Sequence, residues 1–349
     1  MKILKLKLRE LVDLVNSKPN KGIIFFGKVY SLSYLTTAIE PILQNSKNKN
    51  ALKDLIEVVN NSKIIFRSFV NASNFTKINS SSKNHEFLNF YKSHQKLWQK
   101  IWPEHSAIEY ESLVEYRGKR LDFNKIKKEF FNKDVIDIGC GNGSISIAVL
   151  KRGAKSAFGI DFGEKNIQIA KKWAKFYKFQ NKANFKKADI LKFKSKKKYD
   201  FVICSAVLHH LKNKKEFNKE LSNIASLCKK DAYFYFFVRG YGGARYLIQD
   251  ACIKCFKNID PVSIRNILES LNYSREKITH LVDWFKAIYL QTKPNDLLKT
   301  LKKLGFNNFK RLKGPHKNDL DINQIGTHKS SKLKFGTGEL RFLCQYKSG

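Results

Sequence analysis

The stretch that decides the fold is DVIDIGCGNG, residues 134–143. A short hydrophobic run at 135–138 ends in three glycines that alternate with other residues, and a helical pattern of apolar residues follows from Ser144. Glycine lets the backbone approach a bound ligand where any side chain would collide, and a helix start offers amide donors. This order of strand, glycine loop and helix predicts a site for a nucleotide-like ligand.

A second strand end supports that prediction. Residues 156–161 read as a hydrophobic strand that ends in Asp161, eighteen positions after Gly143. A carboxylate in this place can accept hydrogen bonds from both hydroxyls of a ribose. Dinucleotide enzymes share this logic, but their glycines follow the spacing Gly-x-Gly-x-x-Gly. This chain has Gly-x-Gly-x-Gly, with Asp137 two positions before the first glycine.

The pattern around these motifs predicts an α/β fold. Between residues 134 and 238, short apolar runs alternate with amphipathic helices, which is typical of a parallel sheet with helices on both faces. A helical stretch at 240–293 interrupts the pattern before it resumes. The predicted strands are residues 135–138, 156–161, 183–189, 199–205, 232–238, 306–312 and 339–346.

These motifs and their order resemble the class I S-adenosylmethionine-dependent methyltransferases. The resemblance covers residues 134–238 by motif and reaches residue 346 by topology. It implies a Rossmann-like seven-stranded sheet of order 3-2-1-4-5-7-6 whose last strand is antiparallel, and S-adenosylmethionine as the cofactor. The fourth strand, YDFVICS, looks like that of metabolite methyltransferases such as those of quinone biosynthesis.

The resemblance also implies which residues hold the cofactor. Asp161 would take the ribose hydroxyls, Asp189 the adenine amino group and Asp137 the methionine end, although a purely structural role stays open for each acid. The full implied set is Asp137, Gly139, Gly141, Gly143, Asp161, Phe162, Asp189, Ile190, Ser205 and Ala206.

Two adjacent histidines follow the fourth strand. The run VLHHL brings His209 and His210 to the predicted catalytic mouth, where an imidazole suits proton removal from an acceptor. Methyl transfer from a sulfonium is an in-line displacement by an activated donor, so alignment can suffice without a base. Packing against the cofactor is the alternative role, and of the two histidines His209 is the preferred base.

The same strand end lacks the signatures of nucleic-acid methyltransferases. Enzymes that methylate exocyclic amines carry Asp or Asn, two prolines and an aromatic residue here, whereas this chain has Ser205, Ala206, Val207 and Leu208. Carbon-5 pyrimidine enzymes need a proline before a nucleophilic cysteine. Acidic metal ligands are also missing. This pattern favours a metabolite acceptor and no metal.

The segments that lie outside the common sheet are expected to determine acceptor specificity. Residues 1–84 predict a helical N-terminal domain, 85–133 a connector that covers the cofactor, and 134–349 the methyltransferase domain. Within the last, 240–293 predicts a helical lid, for which ordinary helix packing is the alternative. Its expected acceptor contacts are Tyr241, Arg245, Tyr246 and Trp284.

Composition limits the partners. The net charge of +37 favours a polyanion, but the excess is mostly lysine and fits a biased genome composition as well. No apolar run approaches the roughly 20 residues of a spanning helix, so no transmembrane segment is expected. The charged start and six scattered cysteines predict a cytoplasmic protein without disulfides.

Three functions follow from these observations. The leading one is methyl transfer to an oxygen or nitrogen of a small or lipid-like metabolite. The second is an RNA (tRNA) methyltransferase whose basic N-terminal domain docks the substrate. The third is a non-catalytic cofactor-binding or membrane-associated partner protein, against which the intact glycine loop and Asp161 argue. The acceptor and the oligomeric state are not defined by the sequence.

Overall fold

The computed structural model describes residues 1–73, 105–287 and 289–347. Its seven strands form one sheet of order β3-β2-β1-β4-β5-β7-β6, which confirms the predicted order. Strands β1 to β5 are parallel, and β7 is antiparallel to both β5 and β6. The strands are β1 Asp134–Ile138, β2 Ser156–Asp161, β3 Ala183–Lys187, β4 Tyr199–Ser205, β5 Cys228–Val238, β6 Phe306–Arg311 and β7 Leu340–Tyr346.

Helices fill the connections between these strands and build the segments outside the sheet. Two short 3-10 turns, Leu208–His210 and Lys317–Asp319, lie among them. The helices of the described residues are α1 Lys2–Asn16, α2 Gly22–Gln44, α3 Ala51–Ser73, α4 Ala107–Phe123, α5 Lys127–Phe130, α6 Ser144–Lys151, α7 Glu164–Phe176, α8 Lys214–Leu227, α9 Ala244–Cys255, α10 Pro261–Ser270, α11 Arg275–Lys286, α12 Pro294–Lys303, α13 Leu320–Gln324 and α14 Lys329–Phe335.

The central strands of the sheet are buried on both faces, as expected for parallel strands covered by helices, whereas the edge strands β3 and β6 are partly exposed. Successive side chains of a strand point to opposite faces. On β5, Tyr235 therefore joins the core that contains residues of α4, α6 and α7, whereas Phe234 and Phe236 join the core formed with α8 and α12. The near-continuous apolar strands thus follow from burial on two sides.

The chain divides into two compact units. The sheet unit comprises Trp98–Tyr241, Tyr289–Asn323 and Thr337–Gly349, and the helical unit comprises Met1–Leu97, Gly242–Ile288 and Gln324–Gly336. Inside the helical unit, α1 and α2 pack on α3, and α9 packs on α1, α11 and α14. Most of the insertion at 240–293 therefore belongs to the same unit as the N-terminal helices. The predicted domain boundaries stay predictions, and residues 74–104 of the linker and connector lie outside the described residues.

Helix α2 stands out among the described residues as the one helix long and apolar enough to cross a membrane. Its 23 residues include a window of mean hydropathy 1.2, half of which is buried in the protein. Lys28, in this helix, is buried, and its ammonium group donates a hydrogen bond to Asn20. A buried core helix meets the same criteria of length and composition.

Candidate active site

The glycine loop between β1 and α6 is fastened to the end of β2. Gly139, Gly141 and Gly143 all have positive φ, at 71°, 54° and 78°. The amides of Gly139 and Cys140 both donate to the carbonyl oxygen of Ile160, at 2.8 and 2.9 Å. A Cβ at Gly139 would collide with Val207, and one at Gly143 would lie 2.9 Å from the Cβ of Ala170. Packing within the protein therefore requires glycine at these two positions, whatever ligand is bound.

Asp161 organises the ligand side of this loop. The carboxylate accepts hydrogen bonds from the amides of Gly141 and Gly163, at 3.0 and 2.8 Å, and from Asn166 Nδ2 at 3.0 Å. Burial raises the pKa of Asp161, while these three donors lower it. A carboxylate offers about four acceptor positions, so about one remains for a ribose hydroxyl. The predicted contact with both hydroxyls stays a prediction.

Two buried amide atoms beside Asp161 make the loop fit a polar cofactor. Within the described residues, neither Nδ2 of Asn142 nor Oδ1 of Asn166 has a hydrogen-bond partner. Leaving a buried polar atom unsatisfied costs about 1–3 kcal/mol. A nucleoside with an amino-acid tail presents donors and acceptors that can satisfy such atoms, so these residues fit S-adenosylmethionine.

Asp137 and Arg117 form an oppositely charged pair of groups behind the loop. Asp137 is buried, accepts a hydrogen bond from Ser146 Oγ at 2.6 Å, and has its pKa raised to about 7, mainly by burial. Burial also lowers the pKa of Arg117, on α4, to about 10. The charge of Arg117 also lowers the pKa of Asp137, although less than burial raises it. No hydrogen bond joins Arg117 to any described residue.

The residues predicted around the adenine lie at the ends of β2 and β3. Phe162 and Ile190 are half-buried, and Asp189 is exposed. One carboxylate oxygen of Asp189 accepts the amide hydrogen of Leu191 at 3.0 Å, which shapes the turn after β3. The amide of Ala188 donates to the carbonyl oxygen of Asp161 at 2.8 Å and ties this turn to β2. Contact of these side chains with adenine stays a prediction.

At the end of β4 the chain bends sharply. Ser205 is half-buried, and Ala206 adopts the left-handed region with φ 63°, which is unfavourable for a residue with a Cβ. The amide of Ala206 donates to the carbonyl oxygen of Phe237 at 3.1 Å. This bend places Val207 against Gly139. It thereby joins the loops after β1 and β4 into one edge.

The two candidate catalytic histidines have different surroundings. His209 is 2% exposed, and its Nδ1 accepts a hydrogen bond from the backbone amide of Arg239 at 3.1 Å. An Nδ1 that accepts is unprotonated, so the proton of neutral His209 lies on Nε2. Neither ring nitrogen of His209 is then available to take another proton. His210 is half-exposed, with its ring centroid 4.3 Å from that of His209. His209, the base preferred from the sequence, is thus less suited to proton removal than His210, and a base role for either histidine stays a prediction.

The predicted acceptor residues have mixed surroundings. In the sheet unit, Tyr241 is 47% exposed, and its backbone pairs with Thr337. In the helical unit, the rings of Tyr246 and Trp284 are buried, and the guanidinium of Arg245 lies 5.8 Å from the centroid of the Trp284 indole ring. Helix packing explains the burial of these two rings, and contact of all four residues with an acceptor stays a prediction.

Two residues of α4, Tyr110 and Arg117, belong to the segment that the sequence predicts to cover the cofactor, but their contacts could not be predicted. The hydroxyl of Tyr110 donates to the carbonyl oxygen of Asn142 at 2.9 Å, and its ring stacks on Trp173 with centroids 4.1 Å apart. Tyr110 therefore supports the glycine loop from the core. Arg117 is the second, because a charge on a helix far from the motif carries no local signal until the fold brings it beside Asp137.

Metal-binding chemistry has little support in the described residues, which contain no group of three His, Cys, Asp or Glu side chains able to hold an ion. Cys252 and Cys255 lie on α9 as buried thiols. Burial raises the pKa of Cys255 to about 12.

The sheet order, the left-handed glycine loop and the acid at the end of β2 define a nucleoside-binding Rossmann-like fold of the methyltransferase type. Residues 130–238 match the family model described as a methyltransferase domain. These residues form a class I S-adenosylmethionine-dependent methyltransferase domain.

Curated relatives carry the name ubiquinone biosynthesis O-methyltransferase. The chain is 31% identical to the protein of Nitrosospira multiformis over 137 residues, covering 39% of this chain and 55% of the relative. It is 29% identical to that of Pelagibacter ubique over 218 residues, covering 58% and 88%. The chain thus spans about half the length of the first relative.

Solved structures with similar topology have low sequence identity. Magnesium protoporphyrin IX methyltransferase from Synechocystis, with bound SAH, is 18% identical with a TM-score of 0.42, covering 74% of this chain and 96% of that one. The N-methyltransferase NodS from Bradyrhizobium japonicum is 11% identical with a TM-score of 0.41, covering 73% and 98%.

Proposed function

We propose that the chain transfers the methyl group of S-adenosylmethionine to a small or lipid-like metabolite, at an oxygen or nitrogen, with a hydroxyl oxygen favoured. The observation that carries this proposal is the placement of the glycine loop and the half-exposed His210 at the carboxyl ends of β1 and β4. These strands are neighbours, about 4.8 Å apart, so donor and base can meet over one edge. The names of the curated relatives support the choice of oxygen.

The chain's own residues can hold the two ends of the cofactor. Asp161 and Asn166 would bind the ribose, and Arg117, whose charge acts on Asp137 beside the loop, would pair with the methionine carboxylate. Asp137, once ionised, would attract the positive groups of the same tail. When bound, the cofactor supplies a methyl group that is already activated by the sulfonium.

His210 is proposed to remove the proton of the acceptor hydroxyl. Removal of this proton as the oxygen attacks raises its nucleophilicity, and a positioned general base contributes roughly 10²–10⁴-fold to a rate. His209 would hold the loop instead, through its ring nitrogen to Arg239 and its carbonyl oxygen to the amide of Leu290 at 2.7 Å. The paired histidines thus divide into a structural residue and a candidate base.

The test compares acceptors from two classes. Purified chain is incubated with methyl-labelled cofactor and with either a pool of small phenols, amines and detergent-dispersed quinone precursors or a pool of RNA, and labelled products are identified by mass spectrometry. We expect label in the small molecules. The rate of methyl transfer to them should change less than about twofold between 50 and 200 mM salt, since no row of phosphates is bound. The Asp161→Ala variant serves as the inactive control.

The net charge of +37 favours the alternative of an RNA acceptor. Labelled RNA together with steep salt dependence would contradict the metabolite proposal. Binding of RNA without methyl transfer would leave it standing, because a surface this basic binds polyanions nonspecifically.

A further inference from the structure

A short segment after α11 bridges the ends of β4 and β5. The amide of Leu290 donates to the carbonyl oxygen of His209 at 2.7 Å, and the amide of Thr292 donates to that of Gly240 at 3.3 Å. Backbone hydrogen bonds of this kind fix a segment independently of its side chains. Residues 289–292 are therefore held against the loop that carries the two histidines.

Tyr289, at the start of this segment, contacts both imidazoles. Its ring centroid lies 5.2 Å from that of His209 and 4.9 Å from that of His210, both in tilted arrangements. Ring pairs at these separations are worth about 0.5–1.5 kcal/mol beyond their burial. Tyr289 thus packs on the candidate base as well as on its structural neighbour.

A buried cation fixes the orientation of the Tyr289 ring. The guanidinium carbon of Arg239 lies 4.9 Å from the ring centroid, and Arg239 is 3% exposed. A cation over an aromatic face is attracted by the ring quadrupole, more strongly when both are shielded from water. The backbone amide of Arg239 also donates to His209. One residue at the end of β5 therefore contacts both the tyrosine and the structural histidine.

We propose that Tyr289 is a positioning residue whose ring, supported by Arg239, holds the imidazole of His210 in the orientation needed for proton removal. The expected effect on catalysis rests on the proposed function, but the placement of the His210 imidazole by Tyr289 does not. A ring of this size without the hydroxyl should serve as well, because the contacts to the imidazoles are made by the ring.

The first measurement needs no acceptor. The histidine ring nitrogens are labelled with ¹⁵N in the full chain and assigned with His209→Gln and His210→Gln, and spectra are compared for Tyr289→Phe, Tyr289→Leu and Tyr289→Ala. We expect His209 to show the Nε2-protonated form. The signals of His210 should move and broaden in the Leu and Ala variants and stay in place in the Phe variant.

A matched control is Tyr346→Ala, because Tyr346 makes an edge-to-face contact with Phe306 in the outer strands, with centroids 5.2 Å apart. The histidine signals should not change in this variant. Affinity for S-adenosylhomocysteine, measured by calorimetry, checks that each variant is folded. Unchanged His210 signals in both the Leu and Ala variants would overturn the inference, and so would a Phe variant that behaves like the Ala variant.

The second measurement uses catechol as the probe acceptor. We expect kcat to fall about 10- to 100-fold in Tyr289→Ala, with cofactor affinity unchanged, and to stay within about threefold in Tyr289→Phe. Wild-type chain that fails to methylate catechol or any other metabolite would contradict the proposed function alone, since the ¹⁵N spectra test the placement separately. A full kcat in Tyr289→Ala would overturn the positioning role.

Discussion

The ends of β1 and β2 and the ends of β4 and β5 are assembled by different interactions. On the first side, the Asp161 carboxylate accepts hydrogen bonds from two backbone amides. The amides of Gly139 and Cys140 both donate to the carbonyl oxygen of Ile160. On the second side, ring contacts dominate, and the hydrogen bonds come from segments far away along the chain. Backbone and glycine geometry therefore define the cofactor side, and side-chain packing defines the acceptor side.

This difference determines how each side responds to amino-acid substitution. The side with the glycine loop tolerates few substitutions, because a Cβ at Gly139 or Gly143 would collide with neighbouring side chains and the amide of Gly141 needs the Asp161 carboxylate as its acceptor. At the ends of β4 and β5, single aromatic side chains can be substituted while the backbone of the sheet edge stays the same. We therefore expect large losses of affinity from substitutions on the cofactor side, and changes of rate and acceptor choice on the other.

The largest expected effect is that of Asp161→Ala. The variant removes the predicted contact with the ribose and leaves the amides of Gly141 and Gly163 without their acceptor. Hydrogen bonds to a charged group are worth about 1.5–3 kcal/mol each, so affinity for the cofactor should fall about a hundredfold or more. Calorimetry with S-adenosylhomocysteine measures this, and wild-type affinity in the variant would contradict the assignment of the site.

Arg117→Met should lower cofactor affinity by about 10- to 100-fold, since one charge-assisted pair is lost. Methionine keeps most of the apolar stem, so the packing of α4 is retained. Decarboxylated S-adenosylmethionine provides the control. If Arg117 binds the carboxylate, this ligand should bind wild type and variant equally, whereas an equal loss for both ligands would mean that the arginine acts elsewhere.

Gly139→Ala should destabilise the fold by about 1–3 kcal/mol, because its Cβ would collide with Val207 and its φ is 71°. Adding Val207→Ala should restore part of the loss, as neighbouring substitutions couple. Urea unfolding of the two single variants and the double variant measures the coupling. Strict additivity would show that the two loops do not meet at this point.

The smallest expected effect is a pH dependence set by Asp137. Its pKa of about 7 lies above the ordinary 3.8, so the folded chain holds this proton more tightly than the unfolded chain. The stability it contributes is present below pH 4 and is lost as the pH rises through 7. Cofactor binding has the opposite sign, because the ionised carboxylate attracts a cationic ligand.

Affinity for S-adenosylmethionine should therefore rise about tenfold from pH 6 to pH 8. Asp137→Asn should remove most of this rise, and calorimetry at three pH values compares the two proteins. The charge of Asp161 raises the pKa of Asp137 and that of Arg117 lowers it, so both residues are kept intact. A rise that persists unchanged in Asp137→Asn would assign the titration to another group.

Much of the fold could be predicted because its signals are local. Strand β2 and strand β4 begin and end where the apolar runs do. Strand β5 begins at Cys228, four residues before the predicted start, because Lys229, Lys230 and Asp231 interrupt the apolar pattern, and Asp231, with φ 64°, lies where the pairing with β4 shifts register. A polar stretch that continues a strand gives no periodic signal.

The acceptor side could not be predicted to the same depth. The sequence placed His209 and His210 after β4 and preferred His209 as the base, because the hydrogen bond from Arg239 to the His209 ring joins residues 30 positions apart and gives no local signal. Tyr289 lies about 80 positions from both histidines and follows an insertion, so no spacing rule connects them. Contacts of this kind depend on the whole fold.

Because β7 lies between β5 and β6, the pairing of β5 can be completed only late in the synthesis of the chain. β5 pairs with β7 over Tyr233–Val238, and β7 follows it by about a hundred residues. Until residues 340–346 leave the ribosome, one edge of this aromatic strand has no partner, and unpaired apolar edges promote aggregation. At about 5–20 residues per second, translation leaves this edge exposed for several seconds. Nascent chains that stall after β5 and before residues 340–346 leave the ribosome are thus the form most dependent on chaperones.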